Sequence, residues 1–83
     1  MNSEKVKVAN QEYIIDELTV RYILPLIEKG DTTQLSLEVA KMSVKLNGKP
    51  IGDAILDLSF SAYQKIMEAV NRVHGFGLEE KND

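Results

Sequence analysis

Ring-bearing and aliphatic residues recur along Leu58–Phe76 at the three- and four-residue steps of an α-helix. Phe60, Tyr63, Met67, Val70 and His74 define a stripe, and Ile66 and Val73 widen it. Gln64, Lys65, Glu68, Asn71 and Arg72 fall mostly outside that stripe, so one face is built for burial. Two N-caps compete. Ser61 with Gln64 forms a capping-box spacing, whereas Ser59 places Leu58 and Tyr63 in hydrophobic-staple positions. At the other end Gly75 can take the left-handed conformation of a Schellman turn, which would fold Phe76 back against Val70.

Upstream the period changes. From Lys5 to Ile15, Val6 and Val8 alternate with lysines, Asn10 and Gln11 can turn, and Tyr13, Ile14 and Ile15 follow, which reads as a small β-hairpin. Two strands are marginal alone in water, so this hairpin must pack its apolar side on helices. Thr19 is a reasonable N-cap for a first helix carrying Ile23, Leu24, Leu26 and Ile27 to a stop at Lys29-Gly30. Pro25 removes a helical hydrogen bond, so that helix either starts later, with Pro25 in its first turn, or kinks there. Asp31 with Gln34 has the capping-box spacing again, and Leu35, Val39, Met42 and Leu46 mark a second helical stripe. Met42, Val44 and Leu46 also alternate as a strand does, and Asn47-Gly48 is either a helix C-cap or the centre of a type I′ turn. The reading adopted is helix to about Ser43 and irregular or extended chain beyond. After Gly48, Pro50 and Gly52, Asp53 can cap one short turn carrying Ile55, Leu56 and Leu58.

The predicted fold is mainly α: one domain over residues 1–83, three to four helices, an N-terminal β-hairpin, and frayed segments at 1–4 and 78–83. Eighty-three residues give a thin core, which favours a binding module over an enzyme. A net charge of −3 argues against general affinity for nucleic acid or anionic membranes. The absence of cysteine suits a reducing cytoplasm, and no run of residues has the length and apolarity of a signal peptide or membrane span.

Candidate chemistry is sparse. His74 is the single histidine, with Asp57, Ser59 and Ser61 the nearest residues that could complete a hydrolase-like set. On one helix Ser61 and His74 stand roughly 20 Å apart, beyond hydrogen-bond reach, and a cation at a helix C-terminus accounts for the histidine. Asp53 and Asp57 lack the partners of a transition-metal or calcium site and read as caps and turn residues. Gly48-Lys49-Pro50 lacks the rest of a phosphate loop. Lys41, Lys45 and Lys49 form a basic strip without interleaved aromatics, better read as a solvated face than as a duplex-binding one. Met42 and Met67 could line an adaptable peptide groove, although methionine at helical spacing is more often core. No catalytic, cofactor-binding or metal-ligating residue emerges, and no small-molecule substrate.

The order of segments carries one resemblance. An extended segment leads through Asp16-Glu17-Leu18-Thr19 into a first helix. A second helix follows, then an Asn47-Gly48-Lys49-Pro50 turn, then Asp57-Leu58-Ser59 opening a last helix that ends in Asn71-Arg72-Val73-His74-Gly75. From about Val8 to Gly75 that order resembles the small tail assembly chaperones of long-tailed bacteriophages and prophages. The resemblance implies a mainly helical protein of the bacterial host cytoplasm that forms a homo-oligomer and binds the tape measure protein. It also implies a role in keeping that protein soluble while tail tube protein polymerises around it. The rival expectation is a regulatory or structural adaptor for one protein partner. A client surface, in either case, is expected at Val20, Ile23, Leu24 and Ile27 on the first helix and at Met67 and Val70 on the last. In a domain this small most of those positions must also serve the core.

Overall fold

The computed structural model describes residues 2–29 and 34–76. Strands β1 (Ser3–Val8) and β2 (Gln11–Asp16) lead to helix α1 (Val20–Glu28), helix α2 (Leu35–Ser43), strands β3 (Val44–Leu46) and β4 (Lys49–Pro50), a 3-10 helix (Gly52–Asp57) and helix α3 (Phe60–His74). The four strands form one antiparallel sheet in the order β1-β2-β3-β4. The architecture is therefore α+β, which corrects the mainly α expectation. The correction comes from Val44-Lys45-Leu46. This segment pairs with Tyr13–Ile15 of β2 on one side and with Lys49-Pro50 on the other, turning the hairpin into half of a sheet.

Both hairpin turns use left-handed residues. Asn47 (φ 56°) and Gly48 (φ 84°) close β3 to β4, which decides between the two readings of that pair in favour of the type I′ turn. Ala9 (φ 52°) and Asn10 (φ 65°) close β1 to β2, one residue earlier than the Asn10-Gln11 turn predicted. In register, Val6, Tyr13 and Leu46 form one row, and Glu4, Ile15 and Val44 the next. The alternation of the strands aims both rows at the helices. The row of Lys5, Ile14, Lys45 and Pro50 lies on the opposite face.

The core joins that inner face to two helices. Val8, Tyr13, Ile15 and Val44 from the sheet meet Val39 and Ala40 of α2, Ile55 of the 3-10 helix, and Ala62, Ile66, Ala69, Val70 and Val73 of α3. The α3 stripe is thus rotated from its predicted centre. Ala62 and Ala69 are in the core, Tyr63, Met67 and His74 flank it, and Phe60 is 71% exposed. Small side chains at 62 and 69 let the helix axis approach the sheet, and Phe60 is left stacked on Tyr63 at 6.3 Å between ring centroids.

The caps of α3 are as the residue types predict. Ser59 Oγ accepts from the Ala62 N–H at 3.2 Å, so of the two candidates Ser59 is the cap. Gly75 (φ 79°) ends the helix, with the Phe76 N–H donating to the Asn71 carbonyl. Phe76 stacks on His74, with ring centroids 5.5 Å apart. Asn2, Ser3 and Glu4 are tied in rather than frayed. Asn2 Nδ2 donates to the Val73 carbonyl, Ser3 Oγ to Asp16, and Glu4 pairs with Arg72. The predicted Asp31 cap and the tail at 78–83 lie outside the described residues.

Candidate protein-binding face

Helix α1 begins where β2 runs out of apolar alternation. Thr19 is extended (φ −77°, ψ 165°), its carbonyl accepts the Tyr22 N–H at 3.0 Å, and its side chain makes no capping bond. The helix runs from Val20 through Pro25 to Glu28, which excludes the later start with Pro25 in its first turn. Proline lacks the N–H that would reach the Arg21 carbonyl, and Arg21 and Pro25 are both exposed, so water can take that bond.

No side chain of α1 is fully buried. Ile23 and Leu26 are half-buried against the core, and α1 packs mainly on α2. At 100° per residue Val20, Leu24 and Ile27 fall on one flank of that contact and Tyr22 on the other. Their exposures are 67%, 47%, 45% and 52%, respectively. The apolar arc of α1 therefore runs over about 200° from Tyr22 to Leu24, of which the half-buried Leu26 and Ile23 span about 60°.

Tyr22 borders an open groove of about 320 Å³ formed with Leu18, Met42, Lys45 and Pro50. Leu18 and Tyr22 also border the neighbouring depression with Asn2, Ser3, Asp16 and Glu17. The Lys45 ammonium at its rim is held 3.3 Å from Asp16. Of the two methionines that could have lined a common groove, Met42 does so and Met67 packs beside the core on α3.

The expected client residues separate accordingly. Val20, Leu24 and Ile27 are exposed together, Ile23 is half-buried beneath them, and Met67 is half-buried on a different helix. Val70 is 0% exposed and is core, so it is closed to a partner. Tyr22 was missed because the three- and four-residue steps select one side of a helix, and Tyr22 stands on the other edge of the same apolar arc. Leu56 and Phe60 are also exposed, at 60% and 71%, and of these the stripe had placed Phe60 on the face built for burial.

His74, Lys41 and Lys45 among the polar candidates are committed to structural bonds. His74 Nε2 accepts the Leu18 N–H at 3.0 Å and Nδ1 meets the Val70 carbonyl at 2.9 Å, so the ring bridges the entry to α1 and the end of α3. An Nε2 that accepts must carry the lone pair, which places the proton on Nδ1. That bonding replaces the cationic account of His74. Lys41 is 3.2 Å from Asp53 and 3.5 Å from Glu38. Its ammonium is raised from the usual lysine range by the Asp53 hydrogen bond; partial desolvation opposes this and Glu38 adds to it. Arg72 is likewise raised by its two-point contact with Glu4. With Lys41 and Lys45 both paired to acids, the basic strip is divided. Among the described residues no three His, Cys, Asp or Glu side chains gather as a metal site would need, and no helix is long and apolar enough to cross a membrane. Compared with protein-family models, curated proteins and solved structures, the chain matches none of them.

Proposed function

We propose that this chain is a protein-binding module that performs no chemical step. It acts as a tail assembly chaperone, in the bacterial host cytoplasm, for the tape measure protein of a long-tailed phage or prophage. The observation that carries the binding reading is the uncovered apolar arc of α1, with Val20, Tyr22, Leu24 and Ile27 each about half or more exposed. A surface of that kind suits an amphipathic helical segment of a client, held by many modest contacts and later released. The order of segments that resembles the tail chaperones supplies the identity of the client. The resemblance also implied a mainly helical protein, which the sheet overturns, so the order of segments alone supports the client's identity.

The test places a photo-crosslinking residue at position 24, in the source organism with prophage induced. Crosslinks to the tape measure protein, lost when the crosslinker stands at Lys65 on the solvent side of α3, are the expected result. If Leu24 captures no tape measure protein from cells shown to contain it, the chaperone reading fails. Reproducible capture of one unrelated protein instead would establish the adaptor reading.

A further inference from the structure

The charges of α1 are placed in an order that suits a second copy of the same helix. Residues seven apart on an α-helix return to within about 20° of each other. Arg21 and Glu28 therefore share one edge, beside the exposed stripe of Val20, Leu24 and Ile27, which spans roughly 60°. Neither Arg21 nor Glu28 has an ion-pair partner among the described residues.

We propose that, with no client bound, α1 packs antiparallel against α1 of a second copy across a two-fold axis beside Leu24. Each contact in such an interface occurs twice. Val20 of one copy meets Ile27 of the other, Leu24 meets its own counterpart, and Arg21 meets Glu28. A parallel two-fold arrangement would carry this edge of the two copies to opposite sides of the contact, where Arg21 and Glu28 do not meet, so only the antiparallel arrangement makes the charge pairs.

The interface is small. Nine residues give a helix about 13 Å long, which falls well below the roughly 800 Å² per partner of a standard interface. The pair therefore belongs to the weak class, with a dissociation constant on the order of 10–100 µM. Weakness is useful here. On the chaperone reading above, the second copy keeps the stripe out of water until a client displaces it. The dimer itself does not rest on that reading.

Sedimentation velocity of the full chain from about 10 µM to about 1 mM tests the proposal. The expected mass rises from one copy towards two, and Leu24→Glu holds it at one. Arg21→Glu alone and Glu28→Arg alone each weaken association roughly tenfold, because each sets like charges together twice. Mixed in equal amounts, these two variants pair with each other about as tightly as the native chain pairs with itself. All three positions are exposed, so each variant keeps the native circular dichroism and unfolding transition. A single copy throughout, a dimer that the reversals do not shift, or a mixture that fails to associate would overturn the proposal. None of these outcomes depends on a client, so they are separate from the crosslinking result.

Discussion

Ser43 is 0% exposed near the end of α2, and its hydroxyl has no hydrogen-bond partner. Burying an unpaired hydroxyl costs about 1–3 kcal/mol, and alanine is also the better helix former. Ser43→Ala is therefore expected to stabilise the domain by about 1 kcal/mol, read as a higher urea midpoint with an unchanged slope. A less stable variant would show that the hydroxyl contributes. His74 is the opposite case, a ring with both nitrogens in use. His74→Ala leaves the half-buried Leu18 N–H without its acceptor and is expected to cost about 1–2 kcal/mol and to speed exchange of that amide. Nitrogen-15 shifts of the native ring should mark Nδ1 as the protonated atom, and the reverse assignment would contradict the bond to Leu18. The sequence marks residue 74 as the end of a helix. It holds no sign of the tie to Leu18, since residues 56 apart meet only through the tertiary fold.

Helix ends and tight turns were legible as short lists of alternatives, Ser59 or Ser61 for the cap of α3 and a helix end or a type I′ turn at Asn47-Gly48, between which the structure decides. Ser59, Gly75 and the Asn47-Gly48 pair have side-chain or backbone chemistry that works locally, whatever the rest of the chain does. Ser59→Ala should destabilise the domain by about 1 kcal/mol, whereas Ser61→Ala, already inside α3, should lie within about 0.5 kcal/mol of native. Equal losses in denaturant unfolding would mean that the two serines share the cap. Ala9-Asn10 was read one residue late because alanine is a poor signal for a left-handed turn position. The rotation of α3 was hidden for a related reason. Stripe counting weights large side chains, and the contact with the sheet is made partly by Ala62 and Ala69. The face of α1 was the most legible part of the candidate site, since Val20, Leu24 and Ile27 stand together as their spacing predicts. Val70 was misplaced because periodicity identifies an apolar face without saying what covers it.

At the scale of the whole molecule, a strand of three residues decided the fold class. Val44–Leu46 is too short to establish a period, and it follows α2 with no intervening residue, so its alternation merges with the helical stripe before it. Its pairing with β2 joins positions about thirty residues apart, information that no local window contains. The sheet ends in strands that resist further pairing, Pro50 on β4 and Lys5 and Lys7 on β1. Its inner face is covered largely by α3, which contributes Ala62, Ile66, Ala69, Val70 and Val73 to the core and receives the Asn2 and Glu4 side chains at its far end. This has a consequence on the ribosome. All four strands emerge before the helix that closes over them, so the nascent chain presents Tyr13, Ile15 and Val44 to its surroundings until α3 has left the exit tunnel. The core can be completed only once this last helix has followed the sheet out.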